Sequence, residues 1–235
     1  MFCIKISDIV IGIENHYPYI QHLCRKYMVP NTDPAFTVSA TDAEIECEHS
    51  DDSHFSPGYC ESLALYRKIV RLLLPYNAFL MHAAVIAVDG KAYAFAARSG
   101  VGKTTHIRLW QRLLGDRVQV INGDKPIIRK TGDTFLACGT PWCGKESMGE
   151  PINCPLQAIC FVERGTENHI RRLTQHEVIG RLFHQLLMPD RALDLDPYFD
   201  LVEQMLLHVD YYLLTCTPEL EAARVAYEGM VERPC

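Results

Sequence analysis

Two hydrophobic periods alternate along the chain. Phe2–Ile6 and Ile9–Ile13 are short apolar, β-branched runs that predict two strands. Tyr17–Met28 has helical spacing, and Phe36–Ser39 is strand-like. Thr41 can cap a short acidic helix starting at Asp42. Pro57 and Gly58 introduce a longer helix with Leu65, Ile69, Leu72 and Leu73 at helical spacing. Beyond Pro75, Phe79–Val88 and Lys91–Phe95 are predicted strands around Asp89-Gly90, a favoured two-residue hairpin turn. A glycine-containing loop leads into a helix through Leu114, with Gly115 as its C-cap. Arg117–Ile121 predicts a strand ending in Asn122-Gly123-Asp124, and Thr131-Gly132-Asp133 a second hairpin. Leu156–Val162 reads as a buried strand. Val178, Ile179, Leu182, Phe183, Leu186 and Leu187 predict one helical face, with a further helix around Tyr198–Val209. Tyr211–Thr215 and Pro218–Met230 complete the pattern as a strand and a helix. No internal repeat interrupts it.

Composition narrows the function classes. The 235 residues carry 23 Lys+Arg against 29 Asp+Glu, a net charge of −6. No basic excess is available to grip a nucleic-acid backbone, so none is expected as a partner. The acidity is local: residues 41–61 hold seven acids and no Lys or Arg, whereas Arg98–Arg117 holds five basic residues and one acid. The longest apolar run, Phe79–Val88, contains His82 and is too short to cross a bilayer. The N-terminus has no secretory pattern, which leads us to expect a cytoplasmic protein without membrane association. Ten cysteines show no C-x-x-C and no zinc spacing, and reduced, mostly buried thiols are expected.

The segment Ala97-Arg98-Ser99-Gly100-Val101-Gly102-Lys103-Thr104-Thr105 carries the strongest chemical signal. It departs from the phosphate-loop pattern G-x-x-x-x-G-K-[ST] only in Ala97, which replaces the first glycine. Gly100 and Gly102 allow successive N–H groups to turn toward an anion. Lys103 can reach the β- and γ-phosphates of a nucleotide, and the Thr104 hydroxyl can ligate Mg²⁺. The flanking strand and helix are the context this loop requires, and the helix directs its positive end at the same phosphates. The alternative is a glycine-rich turn with an exposed lysine.

Met81-His82-Ala83-Ala84, the loop Ser99–Thr105 and the acidic turn at Asp124 resemble the catalytic core of bacterial HPr kinase/phosphorylase. That core is related to the nucleotide-binding part of ATP-dependent phosphoenolpyruvate carboxykinase. Segments 139–146, 163–168 and 221–227 resemble a less characterised branch of HPr kinase-like proteins. The resemblance implies an α/β fold: a P-loop kinase core, with a mixed sheet flanked by helices, over residues 77–235. A small N-terminal α+β region over residues 1–76 would pack on it. It implies transfer of the γ-phosphate of ATP to a serine-like hydroxyl of a peptide, protein or small molecule, with Mg²⁺, and it is compatible with a homo-oligomer. Carried over by position, Ser99, Gly100, Val101, Gly102, Lys103, Thr104 and Thr105 bind the nucleotide, Asp124 serves base and metal duties, and His82 lies beside the reacting groups. Gly123 stands where the family has a second acid.

Individual residues keep alternatives at this level. Asp124 can act as metal ligand or base, or cap a turn. His82 lies in an apolar run, where a histidine is more often a satisfied core residue; the resemblance favours a catalytic one. Glu146 can be a second Mg²⁺ ligand or a solvated loop acid. Lys145, Trp142 and Arg164 can touch a phosphate, an acceptor and transferred charge respectively, or be structural. Asn122 can orient Asp124 or adopt a left-handed turn conformation. A nucleotide-binding regulatory module with little or no turnover is the alternative function. Carboxykinase-type chemistry is weaker, because no acid-binding site is evident.

Overall fold

A computed structural model describes residues 1–30, 33–49, 55–98 and 100–231. The chain divides into two compact units, Met1–Tyr76 and Asn77–Cys235.

In the first unit, β1 (Phe2–Ile6), β2 (Ile9–Glu14), β3 (Met28–Val29) and β4 (Phe36–Ser39) form a sheet in the order β3-β1-β2-β4. The helices are α1 (Tyr19–Leu23), α2 (Asp42–Cys47) and α3 (Pro57–Leu72). Thr41 and Glu44 close a capping box on α2, satisfying two N–H groups at the helix start. Glu61, buried on α3, accepts from the backbone N–H groups of His16 and Tyr17. The single helix expected over Tyr17–Met28 is shorter. It stops at Leu23, passes through a 3₁₀ turn at Arg25–Tyr27 and becomes β3, because Met28 and Val29 pair with Ile4 and Cys3. Tertiary pairing overrides the local helical spacing there.

The second unit is a mixed sheet with flanking helices. Its strands are β5 (Ala78–Leu80), β6 (Ala84–Val88), β7 (Lys91–Ala96), β8 (Val118–Asn122), β9 (Ile127–Thr131), β10 (Thr134–Cys138), β11 (Asn153–Arg164), β12 (His169–Arg172) and β13 (Asp210–Cys216). Its helices are α4 (Lys103–Leu114), α5 (Gln175–Phe183), α6 (Leu195–His208) and α7 (Leu220–Met230). The strand order is β5-β9-β10-β11-β7-β6-β8, with β13 also on β11 and β12 on β13. β7, β11 and β13 run parallel, and β6 runs antiparallel to both β7 and β8. The carboxyl ends of β7, β8, β11 and β13 therefore leave the sheet at one edge, where open α/β sheets bind ligands.

Hydrophobic and turn chemistry explain most of these elements. Asp89 and Gly90 both take positive φ, 50° and 78°, as a two-residue turn between β6 and β7 demands. Gly115 closes α4 at φ 58°. Ile86, Phe95, Ile107, Trp110, Ala223 and Met230 belong to one buried cluster built from β6, β7, α4 and α7. β12 was not anticipated from its sequence, His-Ile-Arg-Arg, which has little apolar content.

Two apolar runs are broken where their length predicts continuity. Phe79–Val88 is two strands, because the intervening backbone bonds elsewhere: Met81 N–H to Pro126 O, His82 N–H to Gln185 O and Ala83 N–H to Asp124 O. The chain thereby leaves β9 and joins β7 and β8. The helical face expected through Leu187 ends with α5 at Phe183, since Gln185 O is held by His82 and Leu186 bridges Met81. Among the described residues, nine cysteines are free and five of them are buried. No helix in the described residues is long and apolar enough to cross a membrane.

His106 on α4 gives the second unit a pH signature. Its Nε2 accepts the Trp110 indole N–H at 3.0 Å, while Nδ1 is buried without a partner. Burial lowers its pKa from 6.5 to about 4. A depressed folded value means the unfolded chain takes up the proton first, so this contribution to stability is complete above pH 6.5 and is lost as the pH falls toward 4. The loss is expected to be about 3 kcal/mol. In urea unfolding, wild type should lose stability more steeply between pH 6.5 and 4 than His106→Gln, which keeps an acceptor for Trp110. The variant should keep only the slope of carboxylates such as Glu44 and Glu177.

Candidate functional site

The loop between β7 and α4 lies at the sheet edge where the strand ends converge. Gly100 and Gly102 adopt φ of 78° and 127°, backbone that a side chain would strain. Gly102 is the N-cap of α4 and no side chain among the described residues caps the helix, which leaves its first N–H groups for a ligand. Val101 is half-buried, Thr104 is half-buried in the first turn, and Thr105 is exposed beside it. Ser99 lies outside the described residues.

Lys103 is buried, and its Nζ donates to Ala97 O at 3.1 Å. Nζ also lies 3.3 Å from His82 Nε2, which in turn is 3.1 Å from Asp124 Oδ1. The structure thus brings together the three residues expected to act in chemistry. The imidazole cannot use one nitrogen twice: Nε2–H can donate to Asp124, or its lone pair can accept from Lys103. Burial lowers the Lys103 ammonium's pKa, opposed by the Asp124 charge. Burial pushes the Asp124 carboxyl up. The hydrogen bond and charge of His82, with Lys125 and Lys103, outweigh it and hold the carboxyl below its ordinary range.

Asn122 builds the turn that presents Asp124. It is fully buried and its Oδ1 accepts from the N–H groups of Asp124 (2.8 Å) and Lys125 (2.7 Å). Its Nδ2 donates to Thr140 O (3.1 Å) and Thr140 Oγ1 (2.9 Å), tying the turn to the loop that follows β10. Asn122 therefore orients Asp124 through its side chain, and it has no positive φ.

The loop of residues 139–149 covers the end of β8. Asn122 bridges Gly149, and Glu150 N–H bonds Ile121 O. Trp142 is buried, so packing accounts for it. Gly144, at φ 80°, brings the loop against Asp124, where a Cβ would lie 3.0 Å from the Asp124 Cβ. Gly123 is equally enclosed: a Cβ would stand 2.8 Å from Cys143 O and 3.2 Å from Met148 O. Glu146 is turned to Arg108 on the exposed side of α4, and Lys145 is exposed. Among the described residues no three His, Cys, Asp or Glu side chains gather as a metal cluster.

Arg164, at the end of β11, was open to two readings, contact with transferred charge or a structural role. Its guanidinium donates to Val101 O (3.1 Å) and Gly100 O (2.5 Å), bracing the loop from its neighbour strand. Two cavities flank the brace. One of about 370 Å³ includes Gly102, Thr105, His106, Leu109 and Thr217 in its wall. The other, about 650 Å³, lies toward Ala97 and Gln185. Gln185 escaped sequence reasoning because it sits inside an apolar helical pattern, and nothing local marks its pairing with His82.

The sequence matches no protein-family model and no curated protein. Among solved structures, it is similar to the HPr(Ser) kinase/phosphatase from Coxiella burnetii, with a TM-score of 0.37 and 8% identity, covering 63% of this chain and 94% of that chain. At such a score and identity, chains can differ in detailed fold and in chemistry alike.

Gly123→Ala should force the 143–148 backbone away from β8. We expect a loss of about 1–3 kcal/mol in urea unfolding. A variant as stable as wild type would show that the loop yields freely.

Proposed function

We propose that the second unit is an ATP- and Mg²⁺-dependent phosphotransferase of the P-loop type, resembling HPr kinase, that moves the γ-phosphate to a hydroxyl. The observation that carries this reading is the Lys103–His82–Asp124 contact chain beside a glycine loop with uncapped helical N–H groups. Gly100, Val101, Gly102, Thr105 and the first turn of α4 receive the phosphates, with Ser99 belonging to the same loop. The smaller cavity, with Thr105, His106 and Leu109 in its wall, would take the nucleoside.

Lys103 is held ready by Ala97 O and turns its ammonium to the phosphates as they arrive. The acceptor oxygen forms a bond to the γ-phosphorus while the bond from that phosphorus to the bridging oxygen breaks, and ADP leaves with the electron pair. The acceptor proton passes to the Asp124 carboxylate, which its neighbours keep ionised. His82 orients that carboxylate through Nε2. The transition state is loose, so positioning and charge neutralisation supply most of the rate. Mg²⁺ would be held by Thr104 and Asp124. This small donor set suits an ion that keeps water and phosphate oxygens in its shell, and the ion supplies charge neutralisation of the β- and γ-oxygens. Glu146, paired with Arg108, is left out of this set.

The enclosure of Gly123 favours one further reading, a nucleotide-binding module with little turnover, because the site holds one carboxylate at this turn. Two measurements separate the readings. ATP with Mg²⁺ should raise the thermal midpoint of wild type, and Lys103→Ala should lose most of that rise; equal responses would remove nucleotide binding from this loop. Transfer of labelled γ-phosphate to hydroxyl compounds should fall about 10²-fold or more in Asp124→Asn. Undiminished transfer would remove Asp124 from the chemistry, and tight ATP binding without any transfer would establish the module.

A further inference from the structure

The 650 Å³ cavity on the Ala97 side of the loop is within the size range of small-molecule sites. Its wall includes Arg98, Arg164, Arg181 and His184 with a single acidic residue, Glu163. Arg181 pairs with Glu163 and Arg164 braces the loop carbonyls. Arg98 stands exposed at the rim. Deeper in the same wall, Gln185 is only 6% exposed, and its side-chain Oε1 has no partner among the described residues. A buried amide oxygen without a donor is costly and uncommon. The oxygen itself is closed to solvent, so a ligand O–H or N–H in this cavity would satisfy it once the amide turns toward the opening.

Position gives the cavity its role. Gln185 O accepts the His82 N–H at 2.6 Å, and Ala97 O accepts from Lys103 Nζ. Two wall residues are thus one hydrogen bond from the chain that ends at Asp124. The nucleoside side of the loop has its own, smaller cavity.

We infer that the 650 Å³ cavity binds the acceptor, and that the acceptor is a small hydroxylated anion whose carboxylate or phosphate meets the arginine rim while a hydroxyl donates to Gln185 Oε1. Guanidinium forks match both anions. The word acceptor rests on the phosphotransferase reading; the anion site does not.

Three probes of similar size test this: glycerate, glycerol 3-phosphate and neutral glycerol. Each is titrated against the full chain at constant ionic strength without nucleotide, and affinity is read from the rise in thermal midpoint. At least one charged probe should bind and glycerol should not, and the stronger one names the anion. Arg98→Met should weaken that binding by about 10-fold. Gln185→Ala should weaken it similarly, but since Gln185 is buried, the exposed Arg98 variant is decisive. Arg112→Met, an exposed basic side chain of α4 outside both cavity walls, should bind the charged probe as wild type does. The inference is overturned if no charged probe binds, if glycerol binds equally, if Arg98→Met is unaffected, or if Arg112→Met weakens binding as much as Arg98→Met does. ATP binding that persists after such a result leaves the phosphotransferase reading standing; anion binding without an ATP response does the reverse.

Discussion

The side chain of Asn122 has two donors and an oxygen that accepts twice, and every one is engaged. On one side it closes the turn that carries Asp124. On the other it holds Thr140 and with it the covering loop. Asp124 O then accepts from Ala83, whose neighbour His82 reaches back to the Asp124 carboxylate and, through its N–H, to Gln185. Four separated segments are thereby referred to one buried amide. A buried polar group with all its partners supplied, as Asn122 is, specifies one arrangement far better than apolar contact does.

The enclosure around Gly123 shows the opposite kind of constraint, one set by volume. Cys143 O and Met148 O occupy the space any side chain at position 123 would need. A second carboxylate beside Asp124 would thus require a different loop, not a simple replacement. With one acid, Asp124 faces no like charge at its side. Its neighbours are His82, Lys103 and Lys125, and all of them favour the ionised form.

Much of this was legible in the sequence where the signal is local. The loop from Ala97 to Thr105 announces itself by glycine and lysine spacing, and Asp89-Gly90 by the backbone it needs. Thr41 with Glu44 announces a cap. Segments whose partners lie far away were not legible. Hydrophobic periodicity reports which face is buried, but it cannot report that a strand changes neighbours, as the chain does at Met81–Ala83. Nor can it show that Arg164 bends back onto carbonyls 63 and 64 residues earlier. Gln185 has no sequence signal at all; its place follows from a bond made by its backbone.

β11 pairs with β10 through its first residues and with β7 and β13 through the rest, so a single strand of 12 residues runs through both halves of the second unit. Side chains alternate faces along such a strand. Arg164 reaches the glycine loop before α4 only because an exact count of residues separates it from the β10 pairing. That makes β11 a ruler with parity. Losing one residue beyond Ala158 would leave the paired backbone much as it is and send Arg164 to the opposite face, so the loop would lose its brace without any change in composition at the loop itself.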